Sequence, residues 1–396
     1  MKSNQFKFSV AGAIVLVTLG LAGCKSPAKT SGSSAIPSNA ILVGEYGSLT
    51  GQQATFGTST DNGIELATNQ LNAAGGINGR PVHVFVEDDQ GLPTNAGTAV
   101  TKLIDEDHVI SILGEVASSC SLAGGKVCQQ NGIPMISPSS TNTKVTEIGN
   151  DIFRVCFIDP FQAAVDARFI HDKLGMTRVA VFTNTDNDYS LGFTKNFIQA
   201  FTAMGGTIVI QKGYGASDTN YQGALTAIQQ AKPQCILIPG YYNEVAAIAK
   251  QARGMGITCP LVGGDGWDSP DLIKNGGSAI NGCYFSDHLA MDDPNPVVQN
   301  FVKTYKAAYN HEPDSLAALG YDSANLLYAA MKRAKSLSPD DIRQAISTIK
   351  DFPGVTGNIT INAQRNADKP AVIIKIVNGQ FKLDCKIANP NVPLAK

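Results

Sequence analysis

Short apolar runs alternate with stretches of helical period from residue 41 onward, and a chain with that rhythm has few ways to fold. The first series contains the run Ile41-Leu42-Val43-Gly44-Glu45-Tyr46, a helical stretch over 58–74, a strand over 82–87, a helix over 95–106 and the buried run Val109-Ile110-Ser111-Ile112-Leu113. After Asp151-Ile152-Phe153-Arg154-Val155-Cys156 the pattern restarts, with helices over 161–174, 191–204, 222–230 and 244–255 separating strands at 179–182, 207–211, 235–238 and 261–262. A strand followed by a helix and then another strand crosses over and pairs in parallel, so each series predicts a sheet covered on both faces. The tail offers helices over 296–309 and 315–334 and strands at 357–361, 371–377 and 381–383, too little for a third domain. The expected architecture is α/β, with two doubly wound parallel-sheet lobes joined by multiple crossovers. Residues 40–158 and 289–351 would form the N-terminal lobe, and 159–288 and 352–390 the C-terminal lobe. In open α/β sheets ligands lie beyond the carboxyl ends of the strands, which here places one in the cleft between lobes.

Two hydroxyl-rich junctions stand at such strand ends. The run ending at Leu113 stops at Gly114, and Ser118 and Ser119 follow where a helix begins. Hydroxyls there predict caps accepting from N–H groups two or three residues on. The run Ile133-Pro134-Met135-Ile136 leads into Ser137-Pro138-Ser139-Ser140-Thr141. Side by side, these junctions combine helix N–H groups, a positive dipole end and several hydroxyls, a setting for a small carboxylate. Two ordinary helix caps beside a sheet are the alternative reading.

At 396 residues the chain is long enough for two cores, and 43% hydrophobic against 16% charged residues excludes a disordered chain. A formal charge of −2 without a basic stripe excludes nucleic acid as a partner. Residues 1–23 read as a targeting segment: Lys2 and Lys7, an apolar run over 10–19, then Leu21-Ala22-Gly23-Cys24, which looks like a bacterial lipobox that makes Cys24 the lipidated N-terminus. That apolar run falls short of the ~20 residues needed to span a bilayer. Residues 24–39, rich in Ser, Pro, Ala and Gly, suit a flexible tether. Without residues 1–23 the formal charge becomes −4, because Lys2 and Lys7 leave with no acid.

With Cys24 lipidated, seven of the eight cysteines remain, so at least one stays a thiol or pairs between molecules. Cys120 and Cys128 would stand about 12 Å apart on one helix, too far to bond. Cys259 and Cys283, each opening an apolar run, are the pair expected; burial as small apolar thiols is the alternative at every site.

The motifs of catalysis are missing. After the first strand the chain has Gly47-x-x-x-Gly51 in place of G-x-G-x-x-G, and neither a Walker loop nor G-x-S-x-G occurs. His83, His108, His171, His288 and His311 lack ligand spacing. Asp88-Asp89 at a strand end could be catalytic or metal-binding, although acids there mostly cap turns, and Ser118 or Cys120 as a nucleophile lacks an evident base. No catalytic residue, metal or cofactor is expected.

With these features assembled, the chain resembles the branched-chain amino-acid-binding proteins of ABC transporters, type I periplasmic binding proteins also known as leucine/isoleucine/valine-binding proteins. The likeness runs from about residue 40 to 385. It rests on Gly47-Ser48-Leu49-Thr50-Gly51, Leu71-Asn72-Ala73-Ala74-Gly75-Gly76-Ile77-Asn78-Gly79, residues 133–141, Gly240-Tyr241-Tyr242 and Gly263-Gly264-Asp265-Gly266 in that order. The resemblance implies that Ser118 and Thr141 hold an amino acid's carboxylate. Its ammonium would be held by the Ser139 carbonyl, the Thr141 hydroxyl and Asp265, while Phe56, Tyr189 and Tyr241 close around the ligand. Core positions for Phe56 and Tyr241, a loop position for Tyr189, and a cap over Ser269-Pro270-Asp271 for Asp265 are the competing readings. Asp265 is one methylene shorter than the family's frequent Glu, and Trp267 stands where it would narrow the side-chain pocket. The resemblance further implies a monomeric, non-enzymatic receptor, lipid-anchored in the periplasm or on the outer face of the cytoplasmic membrane. It would bind an amino acid and serve an ABC permease and its ATPase. A receptor for a small carboxylate or aromatic acid, a sensory receptor, and more distantly a secreted α/β enzyme are the alternatives.

Overall fold

The computed structural model describes residues 36–391 and Leu394; the targeting segment, Cys24 and the tether up to residue 35 lie outside the described residues. The first series builds β1 (Ile41–Gly47), α1 (Ala54–Ala73), β2 (Val82–Asp88), α2 (Pro93–Asp105), β3 (Ile112–Leu113), α3 (Ser118–Asn131), β4 (Met135–Ser137), α4 (Lys144–Glu147) and β5 (Ile152–Arg154). These strands form a five-stranded sheet in the order β2-β1-β3-β4-β5. Every pairing in it is parallel, with Ile41 opposite Val82 and Gly44 opposite Ile112. β3 is shorter than the apolar run suggests, yet Ile110 N–H still donates to the Leu42 carbonyl at 3.0 Å, continuing the ladder.

The second series gives α5 (Asp159–Arg168), extended by a π-helical turn at Phe169–Lys173, then β6 (Arg178–Asn184), α6 (Asp188–Ala203), β7 (Thr207–Tyr214), α7 (Gln222–Gln230), β8 (Cys235–Leu237), α8 (Tyr242–Gly254), β9 (Leu261–Gly263), a 3-10 turn at Asp265–Trp267, α9 (Pro270–Gly276) and β10 (Tyr284–Asp287). The tail supplies α10 (Pro296–Tyr309), α11 (Ser315–Arg333), α12 (Pro339–Ser347), β11 (Phe352–Gly354), β12 (Gly357–Ile361), β13 (Ala367–Asp368), β14 (Ala371–Val377) and β15 (Gln380–Ile387). The second sheet has seven strands in the order β15-β14-β10-β9-β8-β6-β7. Its body is parallel, but β14 joins β10 antiparallel and carries β15 as a hairpin at the edge. β12 joins neither large sheet and forms a small antiparallel sheet with β11 and β13.

Helix α11 returns to pack on α1, and glycines on both helices set how closely. A Cβ added at Gly63 would stand 2.1 Å from the Ala317 carbonyl oxygen, and one at Gly320 would stand 2.4 Å from that of Thr60. The backbones are in contact there, so neither position accepts a larger residue without a shift.

Several helices begin earlier than expected because proline occupies their first turn, as in α2 and α5. The short helices α9 and α12 were not expected. Each starts with a Ser-Pro pair whose serine caps it: Ser269 Oγ accepts from Asp271 N–H and Ser338 Oγ from Asp341 N–H, both at 3.2 Å.

All seven described cysteines are free, so the expected Cys259–Cys283 bond does not form. The Arg253 guanidinium takes up both partners, donating to the Cys259 carbonyl at 2.8 Å and toward Cys283 Sγ at 3.5 Å. Among the described residues no helix is long and apolar enough to cross a membrane.

Candidate functional site

Phe56, Ser118, Ser139, Thr141, Tyr189, Tyr241 and Asp265 all line one cavity, together with Val116, Gly266 and Leu316. They come from both sheets: the residues after β3 and β4 and the first turn of α1 on one side, α6, the start of α8 and the turn after β9 on the other. The cavity volume is about 20 Å³, room for a single water. Any larger solute enters only if the two sides part.

The hydroxyl wall is fixed by its own hydrogen bonds. Gly114, at φ +123°, has the Tyr46 carbonyl oxygen 2.2 Å from where a Cβ would sit, so only glycine makes this turn. Beyond it Ser121 and Ser137 donate to the Glu115 carbonyl, at 3.0 and 2.7 Å, and Ser140 Oγ lies between the carbonyls of Val116 and Glu115, at 2.9 and 3.1 Å, which locks the two strand-end loops together. Ser139 Oγ donates to the Val116 carbonyl at 3.3 Å. Ser118 and Ser119 do not cap α3 as expected, because other loops claim their hydroxyls. Ser118 Oγ accepts from Asn142 N–H at 3.3 Å, and Ser119 Oγ accepts from Asp188 N–H at 3.0 Å. The N–H groups of the first turn of α3 therefore remain without side-chain caps, as an anion site requires.

Facing this wall is an acidic one. Asp265 does not cap α9; its Oδ1 accepts from Gln162 Nε2 at 2.9 Å and its Oδ2 lies 3.2 Å from His288 Nε2. His288 is fully buried, stacked on Phe157 with ring centroids 3.8 Å apart. Burial holds its pKa down to about 4 against the pull of Asp265, so at neutral pH the ring is uncharged and its Nε2–H can donate to the carboxylate. Asp159 opens α5 and faces Thr141; both groups are buried, and neither the carboxylate nor the Thr141 hydroxyl makes a well-directed hydrogen bond among the described residues. Burial pushes the Asp159 carboxyl up to about 7, Thr141 pulls it down, Asp265 raises it further and Arg154 lowers it. Arg154, itself buried, is tied up by the loop: it donates to the Ser140 carbonyl, to the Asn142 carbonyl at 2.9 Å and to Thr146 Oγ1 at 3.2 Å.

Aromatic rings complete the cavity. Tyr189 and Tyr241 stack at 5.5 Å with an 11° tilt, and Phe56 meets the edge of Tyr241 at 5.7 Å. Across the cleft Tyr242 OH donates to the Gln52 carbonyl at 2.9 Å, and Thr55 and Ser269 hydroxyls lie 3.0 Å apart. The described conformation is thus closed.

A model of the family described as periplasmic binding protein matches residues 40–380. The chain belongs to the periplasmic binding protein family. It is 26% identical over 337 residues to "Leu/Ile/Val-binding protein homolog 1" of Brucella suis, covering 84% of this chain and 89% of that one. Among solved structures it is similar to a leucine binding protein, LivK, from Thermotoga maritima, with TM-score 0.84, 36% identity, and coverage of 89% of this chain and 100% of that one. It is likewise similar to a branched-chain amino acid transporter substrate binding protein, LivJ, from Streptococcus pneumoniae in complex with isoleucine, with TM-score 0.83, 32% identity, and coverage of 88% and 99%. The α/β architecture of parallel sheets and helices described above matches the type I fold of that family, and these relatives are solute-binding proteins.

For this family member the sequence located the seven cavity residues but missed Asp159, Gln162 and His288. Asp159-Pro160 was legible as a helix start, and Gln162 lies one turn on, on the same helix face. Trp267 is a correction. It does not line the cavity but is completely buried behind it, donating from Nε1 to the Ile238 carbonyl at 3.0 Å and packing where a Gly263 side chain would otherwise stand. Asp88 acts as a turn cap, with Oδ1 accepting from the N–H groups of Leu49, Thr50 and Gln90.

Proposed function

We propose that this chain is the extracytoplasmic receptor of an ABC transporter, closing two sheet-centred lobes on a small amino acid of the branched-chain class and handing it to a permease driven by an ATPase. One observation carries the amino-acid reading: two buried carboxylates, Asp159 and Asp265, face the hydroxyls and free N–H groups after β3 and β4. A ligand that satisfies both walls carries a cation beside an anion, which describes an α-ammonium and an α-carboxylate. Val116, Leu316, Phe56 and the tyrosine rings leave apolar surface for a short side chain. The relatives' printed names support the same class. In this reading Ser118 and Thr141 take the carboxylate, and the Ser139 carbonyl, Thr141 hydroxyl, Asp159 and Asp265 take the ammonium. The ligand leaves unchanged, and lipid on Cys24 anchors the receptor outside the cytoplasmic membrane.

A thermal-shift screen tests this directly. Leucine, isoleucine and valine are expected to raise the melting temperature, since a ligand at 100 times its dissociation constant stabilises the fold by ~2.7 kcal/mol. A response confined to carboxylates without an ammonium would contradict it. The anchor has its own check: mass spectrometry of membrane-extracted protein should find a diacylglyceryl group on Cys24, and an unmodified terminus would reject it.

A further inference from the structure

Behind the hydroxyl wall, where β1, β2 and β3 end, three buried side chains converge without serving the cavity. Asp89 follows β2, Glu115 follows β3, and Cys120 lies in the first turn of α3; one ligand atom from each lies within 4.8 Å of the others. The relative exposures are 0% for Asp89 and Glu115 and 1% for Cys120. Two carboxylates so placed need more positive charge or hydrogen-bond donors than the protein gives them. Ser48 Oγ stands between them, 3.3 Å from Asp89 Oδ1 and 3.1 Å from Glu115 Oε1, but a hydroxyl has one hydrogen and can satisfy only one at a time. Gly91 N–H donates to Asp89 Oδ1 at 2.9 Å and Ala117 N–H donates to Glu115 Oε2. Asp89 Oδ2 is left buried with no hydrogen-bond partner among the described residues. No Lys or Arg side chain is bonded to either acid among the described residues.

We propose that Asp89, Glu115 and Cys120 form a binding site for a divalent transition metal of the zinc class, with Ser48 Oγ or a water as fourth ligand. The donor set decides the class. Two carboxylate oxygens and one sulfur suit Zn²⁺, which takes both atom types in tetrahedral sites, whereas Ca²⁺ and Mg²⁺ select oxygen alone. Cys120 binds as thiolate, releasing its proton to solvent as the metal enters, and its place at a helix N-terminus favours that anion. Burial and the two neighbouring acids hold the free thiol strongly toward its protonated form, so the site fills more readily as pH rises. Entry is available from the cleft: a cavity of about 540 Å³ is lined by Gln90, Gly91, Ala117 and Cys120. The bound ion clips the ends of β2 and β3 to the turn that presents Ser118, two residues before Cys120, and so makes the anion side of the ligand cavity more rigid.

The test uses the mature chain stripped with chelator, then titrated with Co²⁺ as a spectroscopic substitute and with Zn²⁺. One equivalent of Co²⁺ is expected to produce a thiolate-to-cobalt charge-transfer band that Cys120→Ala abolishes. Zn²⁺ should raise the melting temperature of the wild type. Asp89→Asn, which keeps shape and removes charge, should weaken Zn²⁺ binding at least ~10- to 100-fold, since even outer-sphere partners of metal ligands carry that much. Should Cys120→Ala fail to fold, the Asp89→Asn titration decides alone. The proposal is overturned if wild type shows no charge-transfer band at one equivalent, or if the band survives in Cys120→Ala, because another thiol then supplies it. It is equally overturned if Zn²⁺ binds wild type and Asp89→Asn alike, or if only pH and never metal shifts the melting temperature, since a proton shared between the two acids then explains the cluster.

Discussion

The proposed function gives Asp265 and Asp159 a role at the level of single atoms. Removing the charge of one partner in a desolvated, hydrogen-bonded pair costs 2–5 kcal/mol, on the order of 30-fold to several thousandfold in affinity. Asp265→Asn is expected to fall in that range for the best amino-acid ligand by calorimetry. Thr141→Ala should lose only ~1–3 kcal/mol, because the carboxylate keeps the N–H groups of α3 and Ser118. The reverse order would place the ammonium elsewhere. Asp159 makes a prediction about pH. Its folded pKa of about 7 lies above the ~3.9 of an unfolded aspartate, so the folded state keeps a proton through the interval between them. The stability this group contributes is complete below pH 4 and is lost as pH rises to 7. In the closed conformation, Asp159→Asn should therefore gain stability relative to wild type from pH 4 to pH 7, by up to about 4 kcal/mol in urea denaturation. A difference that stays constant with pH would show that Asp159 is ionised throughout. The resemblance pointed to Asp265 through the run Gly263-Gly264-Asp265-Gly266, but the sequence gave no sign of His288, since nothing local says which way a residue at a crossover faces. Trp267 misled for a related reason: it stands two residues after Asp265 in a 3-10 turn, and that turn sends the two side chains to opposite sides.

The elements were legible where their period had length to show itself. α10 matches its expected span, α7 likewise, and most strands differ only at an end. α9 and α12 have seven and nine residues, too few for an apolar face to declare itself, and their Ser-Pro starts read equally well as turns. The close packing of α1 on α11 was not legible at all, because a glycine inside a helix does not reveal which backbone approaches it. That contact supports a direct test. Gly63→Ala adds a methyl 2.1 Å from the Ala317 carbonyl oxygen, and the overpacking cost of ~1–3 kcal/mol should exceed the ~1 kcal/mol that alanine gains in helix propensity. Denaturant unfolding should show net destabilisation, whereas a neutral or stabilising effect would mean that the helices separate easily.

For the molecule as a whole, the repeated strand-helix rhythm implied two parallel sheets, and both are present. The sequence assigns residues 352–390 to the C-terminal lobe, but how the tail pairs there was beyond local pattern, because the pairing of β14 with β10 spans residues far apart in sequence and its antiparallel sense follows from where the chain re-enters. The closed state is held across the cleft by Tyr242 to Gln52, by Thr55 to Ser269, by Ser119 and Asn142 to Asp188, and by the 3.2 Å ion pair of Lys144 with Asp188. An exposed ion pair contributes about 1 kcal/mol or less and a neutral hydrogen bond about 1 kcal/mol net, so a ligand bound to both sides adds to the free energy of closure. Under the proposed function it does so by engaging both walls at once, its anion at the loops after β3 and β4 and its cation at Asp159 and Asp265. Calorimetric titration with L-isoleucine and with the 2-oxo acid of the same carbon skeleton isolates that requirement, because the two ligands share the carboxylate and side chain and differ at the ammonium. The proposed function predicts one-to-one binding of isoleucine and binding of the oxo acid at least ~30-fold weaker. Equal affinity for the two, or preference for the oxo acid, would contradict it.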